Sequence, residues 1–464
     1  MAQPLKEMIN VDSVSVLADG LAAAWAPFPR ARFVAQALAG LDGLELKARV
    51  AHVAAALHDA LPMPYPQAAG LVRECASRVT LDMWSGWPAT EHTATRGLDH
   101  LADAMDTLAV LTPYATGEFA VRPYLERHRD DAFKIMYGWT ESPDEHLRRL
   151  ASEGSRPRLP WAGRVGWLMT PGPTLPLLDR LRDDPSEYVR RSVANHVNDL
   201  AKDHPATALD LLARWRSDGG SHVEKVLRHA IRGLLRAGHP EALALLGATP
   251  GSGTADALTL ESETVAVGGK LTFTVTVTAG AAGPVLLKYA VRRAGSRRVF
   301  HLGQRDAVGS GETFTVRKSH SFRPVTTRDE PPGARELDVI VNGRVAATIP
   351  FTLVLGRDDD QSDSGVRTDS QLATGTQGTS AHDGRARHTT PVDDGVAGIG
   401  THLGTSQSYD RTDAGDDKTR DAARAGDNKT PDTARAGGGR TRDGARAGDG
   451  KTPDGARAEE GLLR

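Results

Sequence analysis

The chain of 464 residues contains a single cysteine, Cys75, so no disulfide can form within it. Nothing in its cysteine content therefore indicates an oxidising compartment. It also has no apolar run of about 18 residues, the minimum for a membrane-spanning helix. The opening MAQPLKEMINVDSV lacks the basic segment and apolar core of a secretory signal. These absences predict a soluble, cytoplasmic protein with no membrane partner.

Metal and nucleotide motifs are also missing from the sequence. Histidines such as His196 and His204 do not have metal-ligand spacing. Gly268-Gly269-Lys270 lacks the earlier glycine and the strand-to-helix context of a phosphate loop. No lysine stands out as an amine nucleophile. We therefore expect no metal site and no cofactor.

The last part of the chain, residues 356–464, has few large apolar residues. From Ala414 an 11-residue unit repeats four times, beginning with AGDDKTRDAAR. No copy has apolar residues to bury, so this tail is predicted to be disordered. The formal net charge of −2 averages this acidic tail with a folded part that is slightly basic. A basic folded part favours a polyanionic partner, although the excess is small.

Residues 1–247 have a helical pattern and no strand pattern. Apolar residues recur at spacings of three and four in VDSVSVLADGLAAAW and again in ARFVAQALAGLDGLELKARVAHVAAALHDAL, which ends at Leu61. Asn10 or Asp12 can cap the first helix, and Pro62 ends the last helix of this stretch. Residues 62–90 contain four prolines and are predicted to be less regular. The pattern indicates an all-α domain.

Two segments about 42 residues apart resemble each other. When Pro143 is aligned with Pro185, Leu147 falls on Val189 and the pair Arg148-Arg149 falls on Arg190-Arg191. A weaker third copy runs through VEKVLRHAIRGLLRAG. A period near 40 with two short helices per unit predicts a HEAT-like solenoid.

The second repeat helix has one apolar and one polar side. At 100° per residue its valines share a stripe, and the opposite side carries Arg191, Asn195, Asn198, Asp199 and Lys202. In the preceding repeat Arg149 and Glu153 lie one turn apart on the outer side. Stacked repeats would align these charges along one groove. The alternative is a plain solvated face with a weak Arg149–Glu153 ion pair.

The loop SRPRLPW follows Glu153 and contains two arginines, two prolines and a tryptophan. Prolines stiffen such a loop. Basic side chains on a stiff loop suit phosphate contacts, and Trp161 can press against a sugar or base. The alternative is that Trp161 only joins two repeats.

The runs DEHLRRLASEGSRPRLPWA and DPSEYVRRSVANHVNDLAKDHP, with the opening PLKEMIN, closely resemble the AlkC family of DNA alkylation repair proteins. The resemblance covers residues 1–247. It implies a HEAT-like-repeat DNA glycosylase that removes 3-methyladenine and 3-methylcytosine from double-stranded DNA. It also implies an approach to the lesion from the backbone side, without flipping the base into a deep pocket.

The resemblance also implies site residues. Glu118 and Glu153 match the acidic positions of the family, and Asp199 is expected as the third carboxylate; Asp203 is a poorer candidate because it can simply end a helix. The expected DNA contacts are Arg149, Arg156, Arg158, Trp161, Arg191 and Lys202. Arg148 and Arg190 are expected to make structural ion pairs. We expect a monomer.

From residue 248 the pattern changes to strands. A linker is expected at 248–256 and an immunoglobulin-like sandwich of about seven strands at 257–355. Leu271, Phe273, Val275 and Val277 alternate with polar residues, and Asn342-Gly343 forms a two-residue hairpin turn. An arginine cluster around Arg292 and Arg298 suits either phosphate contact or a solubilising sheet edge.

Two functions from different classes follow. The first is a monofunctional DNA glycosylase that leaves an abasic site. The second is a HEAT-repeat DNA-binding or scaffold protein that performs no chemistry. The pair Glu118 and Glu153 favours the glycosylase, because a protein that only binds phosphates gains nothing from acids in its groove.

Overall fold

The computed structural model describes residues 4–323 and 330–355. The predicted disordered tail lies outside these residues. The part that precedes residue 248 is helical, as predicted. Its helices are α1 (Val11–Ala24), α2 (Arg30–Leu38), α3 (Leu46–Ala60), α4 (Tyr65–Arg78), α5 (Met83–Arg96), α6 (Leu101–Leu111), α7 (Arg122–Arg127), α8 (Arg129–Trp139), α9 (Glu145–Gly154), α10 (Leu175–Leu181), α11 (Glu187–Asp203), α12 (Pro205–Asp218), α13 (Val223–Ala230), α14 (Arg232–Ala237) and α15 (Pro240–Leu245).

The start of α1 follows the capping signal of the sequence. The Asn10 side chain accepts hydrogen bonds from the backbone amides of Asp12 and Ser13 at the start of α1. The expectation of an irregular segment at 62–90 is wrong, because α4 and α5 occupy most of it. Pro64 and Pro66 lie at the start of α4, where the missing amide costs nothing. Pro88 lies inside α5 and is tolerated there.

Equivalent arginines stabilise the first turns of the two similar helices α9 and α11. Arg148 donates to the carbonyls of Ser142 and Pro143, and Arg190 donates to those of Asp184 and Pro185. Arg148 also forms an ion pair with Asp184 at 2.7 Å, which joins one helical unit to the next. Helix α11 packs against α9 on one side and α13 on the other. The third copy is interrupted at Ile231, between α13 and α14.

The strands form a sandwich of two sheets. The strands are β1 (Thr254–Leu260), β2 (Thr264–Ala266), β3 (Lys270–Thr278), β4 (Gly283–Arg293), β5 (Ser296–Val308), β6 (Thr313–Ser321), β7 (Gly333–Val341) and β8 (Arg344–Val354). One sheet has the order β1-β3-β6 and the other β2-β8-β7-β4-β5; all pairs are antiparallel except β2 with β8. The first strand therefore begins inside the segment that the sequence assigned to a linker.

The sandwich core agrees with the alternation seen in β3. Leu271, Phe273, Val275 and Val277 are all buried between the sheets. The hairpin turn at Asn342-Gly343 joins β7 to β8, and both residues have positive φ, as a two-residue turn of this kind requires. Arg292 forms ion pairs with Asp338 and Glu336, each at 2.8 Å. This pairing favours a structural role for Arg292.

The helical part and the sandwich are in close contact. Leu286 of β4 packs into the hydrophobic core of the C-terminal helices. Gly238, after α14, lies against Gly343 of the hairpin turn. A β-carbon on Gly238 would stand 2.9 Å from the Gly343 carbonyl oxygen, and one on Gly343 would stand 3.0 Å from the Gly238 oxygen. Glycine is therefore required on both sides of this contact.

Candidate functional site

Glu118 lies in a turn between α6 and α7. The hydroxyl of Thr116 donates to Glu118 Oε2 at 3.0 Å. Arg149 of α9 in turn donates to Thr116 Oγ1 at 2.8 Å and forms an ion pair with Glu118. Residues 33 positions apart in the chain thus meet at one point.

Arg149 joins Glu118 to Glu153. Its Nη2 lies 3.7 Å from Glu153 Oε1, one turn further along α9. The two carboxylates that the resemblance singled out therefore converge from separate elements around one guanidinium. They lie on the same side of the helical domain.

Glu153 is tightly held. Its Oε1 accepts a hydrogen bond from Arg156 Nη1 at 2.5 Å, and its Oε2 accepts one from the Ser192 hydroxyl at 2.6 Å. Ser192 lies on α11, so this bond joins the two similar helices. Both oxygens of the carboxylate are therefore fixed in orientation.

Asp199 completes the group through Arg156. Arg156 Nε donates to Asp199 Oδ2 at 2.8 Å, so one guanidinium bridges two carboxylates. Lys202 Nζ lies 3.7 Å from Asp199 Oδ1 and is half exposed. We name Glu118, Arg149, Glu153, Arg156 and Asp199 the carboxylate–arginine cluster.

Burial and charge act in opposite directions on these groups. Burial opposes the charge of Glu153, but the neighbouring Arg149 and Arg156 outweigh it and hold the pKa of Glu153 below its ordinary value. For Asp199, burial outweighs the attraction of Arg156 and raises the pKa. The pKa values of these two carboxylates are thus shifted in opposite directions.

The alternative of a plain solvated face is wrong for Asp199, on the polar side of α11. The residue is only 1% exposed, because the loop after α9 covers it and brings Arg156 against it. Glu153 is likewise only 5% exposed. Periodicity separates a helix into two sides but does not reveal that another segment covers the polar one.

Four of the expected DNA-binding residues lie outside the cluster: Lys202, which lies beside Asp199, and Arg158, Trp161 and Arg191. Arg191 is exposed and pairs with Glu187 at 3.2 Å on its own helix. Arg158 Nε donates to Asp203 Oδ2 at 2.8 Å, so Asp203 pairs with an arginine in addition to ending α11. Trp161 is 62% exposed and has the positive φ of 65°. Its exposure excludes the interpretation that it only joins two repeats.

Two residues that contact the carboxylate–arginine cluster were not expected from the sequence. Ser192 aligns with Leu150 when the repeats are superposed, and a serine at a buried apolar position is a detectable signal. Tyr188 aligns with His146, and the two rings contact each other edge to face at 5.6 Å. The Arg149 guanidinium lies over the Tyr188 ring, 5.2 Å from its centre. No sequence feature distinguished Tyr188 from an ordinary surface tyrosine.

The replacement Ser192→Ala should weaken the site without unfolding it. It removes one of the hydrogen bonds that fix the Glu153 carboxylate, and such bonds to charged groups contribute about 1.5 kcal/mol or more. If the cluster acts on a substrate, the single-turnover rate should fall about tenfold. Ser155→Ala is the matched control, because Ser155 is equally buried and bonds only to carbonyls of its own helix. Equal rates in both variants would contradict a role for Ser192.

The described residues contain no group of three histidine, cysteine, aspartate or glutamate side chains placed to hold a metal ion. His196 Nδ1 donates to the Ser152 carbonyl oxygen at 3.0 Å, and burial lowers the pKa of His196 to about 3. In this part of the chain no helix is long and apolar enough to cross a membrane.

Fold and site define a helical domain with a buried carboxylate–arginine cluster, followed by an immunoglobulin-like domain. A family model described as the C-terminal Ig-like domain of the uncharacterised protein YhaZ matches residues 254–355. YhaZ of Bacillus subtilis is 34% identical over 355 residues, which are 75% of this chain and 98% of YhaZ.

The second relative is a solved structure, the Pseudomonas fluorescens alkylpurine DNA glycosylase AlkC bound to DNA containing an abasic site analog. It is 32% identical, has a TM-score of 0.70, and the match covers 76% of this chain and 100% of AlkC. The chain belongs to the AlkC family of DNA alkylation repair proteins and carries the immunoglobulin-like domain found in YhaZ.

Proposed function

We propose that this protein is a DNA glycosylase that removes cationic N3-methylated bases, 3-methyladenine and 3-methylcytosine, from double-stranded DNA. The observation that carries the proposal is the convergence of Glu118 and Glu153 on Arg149 from separate elements. The relative AlkC is an alkylpurine DNA glycosylase and is bound to DNA with an abasic site analog. Its similarity along the whole helical and immunoglobulin-like region supports the same class of reaction here.

The chemistry of the leaving group explains why carboxylates suffice. A base methylated at N3 already carries a positive charge, so it departs as a neutral molecule without protonation. Positive charge then develops on the deoxyribose, as in glycoside hydrolysis. A carboxylate about 4 Å from that charge stabilises it by about 4 kcal/mol at an effective dielectric constant of 20.

We infer different roles for the three carboxylates of the cluster. Glu118 is the more accessible carboxylate, with 12% of its side chain exposed, whereas Asp199 is almost completely covered. We therefore assign Glu118 and Glu153 to the deoxyribose and to the water that attacks it. Asp199 acts with them through the shared Arg156, and its charge adds to the field at the sugar.

The arginines would fulfil two roles. Arg149 and Arg156 keep Glu153 ionised, which is the charge state that the reaction requires. Arg158 and Trp161 lie on the loop after α9, with Lys202 and Arg191 on α11, where they are available to the DNA backbone. Loss of such a phosphate contact weakens binding to any sequence and lowers its salt dependence.

One assay tests the proposal. Purified protein is incubated with methylated double-stranded DNA, and the free bases are identified by chromatography. We expect release of 3-methyladenine or 3-methylcytosine. The strands should then carry abasic sites and break only on alkaline treatment. Binding to DNA without any release would leave the alternative of a non-catalytic DNA-binding or scaffold protein.

The pH dependence of base release tests the role of Asp199. Because the pKa of Asp199 is raised, its ionisation should form the acid limb of the rate profile, with the rate increasing as pH rises through that pKa. Asp199→Asn should slow the reaction and displace this acid limb. Spontaneous depurination without protein is subtracted at each pH. An acid limb that stays in place would assign it to another group.

A further inference from the structure

The loop 155–164 lies between α9 and the next short helical turn and carries Arg156, Arg158 and Trp161. It begins directly after the helix end that holds Glu153. Its geometry therefore decides whether Arg156 can reach both Glu153 and Asp199. The loop forms no regular helix or strand, so something else must fix its backbone.

Arg122, the first residue of α7, binds this loop at both ends. Its Nε donates to the Gly163 carbonyl at 3.0 Å. Its Nη1 donates to the carbonyls of Gly154 and Arg156, both at 2.9 Å. The planar guanidinium thus fixes the start and the end of the loop at once.

Gly154 permits this close approach. A β-carbon on Gly154 would stand 2.5 Å from Cγ2 of Val121, the residue before Arg122. The end of α9 therefore lies directly against the start of α7. A larger residue at position 154 would push Arg122 away from the carbonyls it binds.

Arg122 is an unusual group for a buried position. It is 5% exposed, and among the described residues no carboxylate lies within ion-pair distance of it. Its Nη2 is buried without a hydrogen-bond partner. Burial, together with the nearby Arg156, lowers the pKa of Arg122 to about 10, so it remains charged at neutral pH. The attraction of Glu126 offsets only part of this cost, so the guanidinium is held mainly by its three hydrogen bonds to carbonyls at the two ends of the loop.

We propose that Arg122 is a positioning residue for base excision, which fixes the loop 155–164 so that Arg156 is presented to the two carboxylates and Trp161 to the DNA. The inference rests on the proposed glycosylase activity. Arg122 itself is separated from the carboxylates by the loop backbone, so it acts through Arg156 and takes no part in bond cleavage. It was not among the residues expected from the sequence.

The test combines truncation with chemical rescue. In Arg122→Ala the loop loses its three hydrogen bonds, and displacement of a site group by about 1 Å can slow a reaction about 100-fold. Added guanidinium ion should restore part of the single-turnover rate by occupying the vacated position. A cleft of about 340 Å³ is lined by Arg122 and open to solvent, so the ion can enter. Sodium chloride at the same concentration controls for ionic strength.

Arg49 provides a matched control. It is also 5% exposed and donates to three backbone carbonyls, those of Leu44, Ile9 and Asp42. None of these residues belongs to the site. Arg49→Ala should therefore lower the melting temperature but leave the excision rate of the folded protein unchanged, and guanidinium should not alter that rate.

Arg122→Lys covers the case in which the alanine variant does not fold. Lysine keeps the charge but cannot reach both ends of the loop, so we expect a folded protein with an intermediate rate. A wild-type rate in both Arg122 variants would overturn the inference. A loss of rate that guanidinium does not restore would also overturn it, if Arg49→Ala shows the same loss. If the wild-type protein itself releases no base, the proposed function fails instead.

Discussion

Replacement of Glu153 by glutamine should reduce the single-turnover rate of base release by about 1,000-fold, which corresponds to about 4 kcal/mol of lost charge stabilisation. Glutamine retains the size of the side chain and can still accept a hydrogen bond from Ser192. Binding to the duplex should persist, because removing a negative charge from a DNA-facing site does not weaken phosphate contacts. The measurements are base release by chromatography and duplex binding by fluorescence anisotropy.

The control for this variant lies on the same helix. Glu145, in the first turn of α9, is a carboxylate that contacts Ser186 and is remote from Arg156. Glu145→Gln should excise bases at the wild-type rate. If Glu153→Gln also does so, the carboxylate has no part in the reaction and the protein is better described as a DNA binder.

Replacement of Arg156 by methionine should have the largest effect on stability. It removes the guanidinium that bridges Glu153 and Asp199, and breaking a buried ion pair in this way costs about 3–5 kcal/mol in the free energy of unfolding. Without Arg156 the pKa of Asp199, already raised by burial, rises further above that of the unfolded chain, and Glu153 loses one of the two arginines that lower its pKa. The penalty is therefore greatest at neutral pH and shrinks as pH falls through the raised values. Urea unfolding followed by circular dichroism at several pH values measures it.

Arg182→Met separates this effect from the general loss of an arginine. Arg182 pairs with Asp218 at 2.7 Å, but the pair is much more exposed, and such surface pairs contribute about 1 kcal/mol or less. The unfolding free energy of this variant should change little and should not depend on pH in the carboxyl range. A similar loss in both variants would show that Arg156 is no more than a surface arginine in energetic terms.

The sequence predicted the order of the fold well because the signals involved are local. Apolar spacing identified the helical region, alternation identified β3, and Asn342-Gly343 identified the β7–β8 turn. It failed at 62–90, where prolines were taken as a sign of irregular structure. Proline breaks a helix interior but suits its first turn, and counting prolines does not separate the two cases.

For the candidate site, the resemblance supplied the residues but not their surroundings. The resemblance singled out Glu118, Glu153 and Asp199, and the structure brings all three into one cluster. Their burial was not predictable, because it depends on a loop that folds back over α11. Ser192 and Arg122 were missed for the same reason. Their importance lies in contacts with residues about 40 positions away in the chain.

Gly238 and Gly343 meet backbone to backbone, so at this point no side chain lies between the helical part and the sandwich. A contact this close limits how far the two parts can move against each other. For a duplex that touches both parts, the curvature then has to come largely from the nucleic acid, and its cost depends on how stiff the stacked bases are. Such a protein would distinguish damaged from intact sites partly by how easily the DNA bends at each site, before any bond is attacked.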